Sequence, residues 1–179
     1  MVKKILQSEH KVLREVAKEV PITEINTPAI QKILKEMSAS LKSQNDGVAI
    51  AAPQIGYSLR IFVVAGKIFS PEFADENRST KDTIQTEDTK DLVFINPVIT
   101  KLSRDKEWVP EGCLSVRPFY GKTYRSKKAT VTAYDEQGKK FTRGGAGLLA
   151  QIFQHETDHL NGILFIDHAK DVKAEELPE

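Results

Sequence analysis

The 179-residue chain has one cysteine, Cys113, two methionines, Met1 and Met37, and no surplus of either charge, with 26 lysines and arginines against 25 aspartates and glutamates. A single thiol excludes an internal disulfide and leaves Cys113 as either a small buried hydrophobe or a chemical group. The even balance lacks the basic surplus that nucleic-acid or anionic-membrane binding usually leaves, so composition predicts no nucleic-acid and no membrane partner. No apolar run approaches the roughly 20 residues of a membrane span. The start, "MVKKILQSEHKVLREV", lacks an apolar core followed by a small-residue cleavage site, and the expected location is the cytoplasm. No internal repeat and no linker divides the sequence, so residues 1–179 are expected to form a single domain.

What is present reads as mixed secondary structure. "TPAIQKILKEMSASLKS" places Ile30, Ile33, Leu34, Met37 and Leu41 at helical spacing, after Thr27 as N-cap and Pro28 at the first helical position. "LRIFVVAG" (Leu59–Gly66) and "LVFINPVIT" (Leu92–Thr100) are short, β-branched and aromatic, and "KATVTAYDEQGKKFT" alternates about Glu136-Gln137-Gly138 as a hairpin. The middle of the chain is therefore predicted to be antiparallel sheet. Gly66–Asp91, polar and without apolar period, is expected to be an inserted surface loop. A second helix is expected to start near Gly144–Gly147, to carry Leu148, Leu149, Ile152, Phe153 and Leu160, and to stop at Asn161-Gly162. The class is α+β.

The second helix contains "QHETDH". Residues i and i+4 share a helix face, so His155 and His159 can converge on one ion while Glu156, about 100° round, reaches its open side. Alone, the pattern is read equally well as a polar stripe on a half-exposed helix. A catalytic zinc-like site needs a third protein ligand, and Cys113 in the glycine-containing "PEGCLSV" is the one thiol on offer. A blue-copper centre would add an axial methionine, and neither Met1 nor Met37 lies near these segments. Glu156 suits hydrolysis instead, where a carboxylate takes a proton from water and returns it to the leaving group. "DGVAIAAPQIG" (Asp46–Gly56) is either a tight helix-to-sheet connection or a close-approach segment. In the second case the Gln54 amide, joined by the Leu114 N–H, would donate to an oxyanion.

These segments, in this order, resemble the peptide deformylase family, which is marked by a glycine-alanine stretch ending in Gln, an E-G-C-L-S segment and a Q-H-E-x-D-H helix; here they stand as "GVAIAAPQ", "EGCLS" and "QHETDH". The early "VLREVAKEV", "VFINPVI", the "AYDEQGKKF" hairpin and "HLNGILF" fit as well. The resemblance implies antiparallel sheets packed around a central metal-binding helix, with an N-terminal helix. It implies Cys113, His155 and His159 as ligands, Glu156 as general acid/base, and Gln54 with the Leu114 N–H as oxyanion donors. Val48, Ala49, Ile50, Glu111, Gly112, Leu148 and Ile152 would border the substrate, with Leu148 and Ile152 forming an apolar pocket for the methionine side chain and Ile50 as its neighbour. The implied reaction removes the formyl group from formyl-methionyl peptides emerging from the ribosome. The implied cofactor is one divalent ion, Fe2+ first, with Zn2+, Ni2+ or Co2+ able to use the same ligands.

Asp158 and Arg125 are candidates for an ion pair holding helix and sheet in register. Ala49, Arg117 and Gln151 depart from the family's glycine, proline and apolar residue. The acidic "IDHAKDVKAEELPE" is unlike the basic C-terminal helix by which some deformylases hold the ribosome, so docking of that kind is not expected. Two other readings stand beside this one. A metallopeptidase of the H-E-x-x-H type would take its third ligand downstream, where His168 fits no trusted spacing. A catalytically inactive metal-binding module would need neither Glu156 nor Gln54.

Overall fold

The structure, a computed structural model, describes residues 1–70 and 90–175. Its first helix, α1, runs Pro28–Lys42 and buries Ile30, Ile33, Leu34, Met37 and Leu41, the residues that the helical spacing singled out. Thr27 holds the N-cap position in extended conformation, but its hydroxyl donates to the Glu24 carbonyl at 2.7 Å and caps nothing.

A five-stranded antiparallel sheet runs in the order β1 (Ala49–Ala51), β2 (Ile61–Val64), β3 (Leu92–Leu102), β6 (Lys128–Tyr134) and β7 (Lys140–Ala146). All of β1 and β2 is buried, because helices cover both faces. Side chains alternate along a strand, and the two cores follow that alternation. Ile50, Ile61, Val63, Val93 and Ile95 pack with α1, whereas Ala49, Ala51, Phe62, Val64 and Phe94 pack with the second helix, α2 (Leu148–Leu160). Phe62 stacks on Phe94 at 4.7 Å, and Phe153 of α2 meets Phe94 edge-on at 5.3 Å.

The remaining strands, β4 (Lys106–Gly112), β5 (Phe119–Ser126) and β8 (Lys170–Ala174), make a second antiparallel sheet in the order β4-β5-β8. Pro110, Glu111 and Gly112 therefore end a strand, and the chain turns just after Cys113. Gly112 is a close-approach position, since a Cβ there would sit 2.4 Å from the Tyr120 ring.

Two expectations need correction. The surface loop drawn from Gly66 begins too early, because Gly66–Phe69 form a 3-10 turn that buries Ile68 and Phe69 in the α2-side core. The rest of that loop, 71–89, lies outside the described residues. The second helix also starts later, at Leu148, since Gly144–Ala146 are still paired with β6. It stops where expected, with Gly162 at φ 74° supplying the left-handed residue that ends helices. Among the described residues no helix is long and apolar enough to cross a membrane.

Candidate metal centre

α2 projects His155 and His159 from one face, and Cys113 leaves the end of β4 directly opposite. The ligand atoms of the three lie within 4.8 Å of one another. Cys113 Sγ is 3.2 Å from His159 Nε2, and the two imidazole centroids are 4.9 Å apart. The sequence-predicted trio thus converges. One thiolate and two imidazoles suit a borderline divalent cation, and three protein ligands leave a position open, as a catalytic ion requires. Glu156 adds a second indication: its Oε2 is buried without a partner, an arrangement that calls for a group beside it.

Glu111, expected to border the substrate, lines the cavity and is also held firmly by the protein. Its carboxylate accepts from Arg125 Nε at 3.1 Å and Nη2 at 2.6 Å, from Thr123 Oγ1 at 3.1 Å and from Gln151 Nε2 at 3.2 Å. It also faces His155 Nδ1 at 3.0 Å. That contact makes Nδ1–H the donor and leaves Nε2 as the lone-pair nitrogen of His155. Arg125 Nη1 donates to Asp158 Oδ2 at 2.8 Å, so the anticipated pair does join β5 to α2. His168, the downstream histidine of the metallopeptidase reading, lies 3.5 Å from Asp158 Oδ2 and outside the ligand trio.

The titrating groups are pushed in different directions. Burial acts to raise the Glu111 carboxyl, but the hydrogen bonds and charges of His155 and Arg125 overcome it and hold the group well below the usual carboxylate range. Burial pushes Glu156 up to about 7. His159 is held well below its ordinary value by burial and the nearby His155. His155 is raised despite its burial, through Cys113 and Glu111.

Gln54 is 1% exposed and its amide is fixed: Oε1 accepts from the Ala51 N–H at 2.8 Å, which turns Nε2 to the Ser115 hydroxyl at 3.1 Å and toward Cys113 Sγ at 3.7 Å. The Leu114 N–H takes no hydrogen bond among the described residues. Motif reasoning missed the two groups that hold these donors in place. Ser115 bridges Gln54 and Cys113, its N–H donating to Sγ at 3.4 Å. At the N-terminus, the Leu6 N–H donates to the Gln54 carbonyl at 2.8 Å, and Gln7 Nε2 donates to the Leu114 carbonyl at 3.1 Å. Nothing in "KILQSEH" signals that role.

A cavity of about 210 Å³ opens on Glu156 and His155 and is bordered by Val48, Ala49, Gly112, Leu148 and Ile152 among others. Ile50 does not reach it. Standing between Ala49 and Ala51 in β1, it points to the α1 side and is 0% exposed there, which corrects its expected place beside the pocket. Gln151 lines the cavity yet spends its amide on the Pro110 carbonyl at 2.8 Å and on Glu111. Arg117 closes one side through two 2.7 Å hydrogen bonds to the Asp46 carboxylate.

The family model described as polypeptide deformylase matches residues 2–175. Peptide deformylase 2 of Clostridium acetobutylicum is 38% identical over 165 residues, spanning 92% of this chain and 93% of that one. The crystal structure of a peptide deformylase from Legionella pneumophila is similar at a TM-score of 0.76 and 33% identity, covering 96% of this chain and 88% of that one. A Met-Ala-Ser-bound class I type b peptide deformylase from Acinetobacter baumannii is similar at a TM-score of 0.78 and 31% identity, covering 94% and 98%.

Proposed function

The chain belongs to the polypeptide deformylase family, and from that premise we propose how its residues perform the family's reaction. It is a metal-dependent hydrolase that removes the formyl group from N-terminal formylmethionine. Residues 1–179 act as one catalytic unit. Cys113 Sγ with the His155 and His159 imidazoles would hold the divalent ion, which when bound supplies Lewis acidity and lowers the pKa of water in the open position. Fe2+ is the ion assigned, as the family resemblance implies, although Zn2+, Ni2+ and Co2+ suit the same donors. Metal analysis of anaerobically purified protein tests that choice.

Glu156, buried beside the ligand trio with its Oε2 unpartnered, would take a proton from the attacking water and return it to the departing amine. Gln54 Nε2 and the Leu114 N–H donate to the formyl oxygen as charge develops on it. Glu111 orients His155 and is itself locked by Arg125, so its part is positioning. Val48, Leu148 and Ile152 offer apolar surface to the methionine side chain, with Ala49 and Gly112 giving the peptide close approach.

The natural substrates are formylated peptides emerging from the ribosome, and the cytoplasm is the compartment that fits. The observation that carries this account is the convergence of the three ligand atoms beside the unpartnered Glu156 carboxylate. Its test is formate release from formyl-Met-Ala-Ser by Fe2+- or Ni2+-loaded protein. Glu156→Ala is expected to lose at least roughly 100-fold in rate while keeping its metal. Retention of full activity in that variant would remove Glu156 from the chemistry.

A further inference from the structure

On the face of the second sheet that points away from α2, Gly112 and Tyr120 at one end border the metal-centre cavity, whereas Lys106, Trp108, Lys122 and Tyr124 have no part in the reaction. Residues paired across an antiparallel ladder share a face, and the register sets Trp108 opposite Tyr124, Gly112 opposite Tyr120, Tyr120 opposite Lys173, and Lys122 opposite both Pro110 and Lys170. Trp108 and Tyr124 are 45% and 51% exposed, and their rings stack with centroids 5.2 Å apart. Lys170 Nζ lies 4.7 Å from the Trp108 ring centroid and Lys106 Nζ 5.7 Å from that of Tyr124. Two ammonium groups therefore flank a two-ring stack, and Lys122 and Lys173 stand exposed beside it. Some lysines elsewhere pair with carboxylates, as Lys127 does with Asp105 and Lys90 with Glu136. Lys106 and Lys170 on this face rest on rings instead. The strand carboxylates Glu107 and Glu111 occupy the alternate positions of β4 and belong to the other side.

We propose that this face binds single-stranded RNA. Phosphates would draw the flexible lysine ammoniums off the rings, and the uncovered Trp108 and Tyr124 would take unpaired bases by stacking, which is how single strands are held without sequence preference. The hydroxyls of Tyr120 and Tyr124 take no hydrogen bond among the described residues and can serve ribose 2′-hydroxyls, which favours RNA over DNA. An acidic peptide would use the charges but not the ring faces. Tyr120 also borders the metal-centre cavity, so a bound strand would lie beside the peptide's path. The chain's net charge of +1, from which no nucleic-acid partner was expected, averages over a face that is locally cationic.

Trp108 is the only tryptophan in the chain and reports on the site directly. A 15-nucleotide oligouridylate titrated into the metal-loaded full-length protein is expected to quench its fluorescence saturably. The logarithm of affinity should fall against the logarithm of salt with a slope near about −3, for four lysines at about 0.7 each. Joint Lys106→Glu and Lys170→Glu substitution should weaken binding at least tenfold, and Tyr124→Ala several-fold. Formate release from a short formylated peptide should stay within twofold of wild type in both variants. Absence of saturable quenching, a flat salt dependence, or unchanged affinity in the double variant overturns the proposal. Equally tight binding of oligothymidylate or of polyglutamate overturns it too, since the face would then be a general anion patch.

Discussion

Along β4 and β5, alternate residues turn Glu111, Thr123 and Arg125 into the space under α2 and leave Lys106, Trp108, Lys122 and Tyr124 exposed on the other side. Both faces carry charge, but the charges are used differently. Inside, the Arg125 guanidinium meets two carboxylates at 2.6–3.1 Å and stands 6% exposed. Outside, lysines rest on aromatic rings in contact with solvent. Charge–charge energy scales inversely with the local dielectric, so equal separations count several-fold more in the dry network than on the wet face. The inner face can therefore fix the orientation of His155, whereas the outer face holds nothing rigidly and stays available to another molecule.

The largest effect should come from breaking the inner network. Arg125→Met would leave Glu111 and Asp158 without their common partner, and removing one member of a buried ion pair typically costs about 3–5 kcal/mol. Urea unfolding of the metal-free protein should register that loss. A change below about 1 kcal/mol would erase the distinction between the two faces, because a pair of that worth is an ordinary surface pair.

A smaller effect separates two carboxyls within the same buried region. Glu111 has its pKa depressed in the folded state, so its contribution is present above the unfolded value of about 4.3 and fades as pH falls below it. Glu156 is the reverse: raised to about 7, it costs stability as pH rises from about 4.3 and carries the full cost above 7. In metal-free protein Glu156→Gln should thus gain about 3–4 kcal/mol at pH 8 and nothing near pH 4. Glu111→Gln should lose stability at pH 8 and converge on wild type in acid. Equal pH dependence of the two variants, followed by thermal or urea unfolding, would mean that burial and pairing do not set these groups apart.

How much of this was legible beforehand follows the same division. α1 carries apolar residues at helical spacing, β2 and β3 are β-branched and aromatic runs, and the β6–β7 hairpin alternates, so each was readable. The ligand trio was readable too, because His155 and His159 share a helix face by spacing alone and Cys113 had no competing thiol. The second sheet was not. Its inner positions are Glu111, Thr123 and Arg125 and its outer ones lysines and aromatics, so no apolar alternation marks β4, β5 or β8. Ile50 was misplaced because β1 is three residues long and buried on both faces, which hides the side to which each residue points. Gln7 reaches the site across 107 positions of sequence, a contact that only tertiary structure reveals.

The smallest expected effect lies on the outer face. Replacing Lys106 and Lys170 by methionine removes both cation–ring contacts while keeping the aliphatic stems that cover Trp108 and Tyr124. Exposed contacts of this type are worth about 0.5–1 kcal/mol each at most, and the freed side chains recover rotamer entropy. Unfolding free energy should consequently change by less than about 1 kcal/mol, with metal content and formate release unaltered. A loss above about 2 kcal/mol would show that the ring-and-lysine stack is a structural element of the sheet, as constrained as the network on its reverse side.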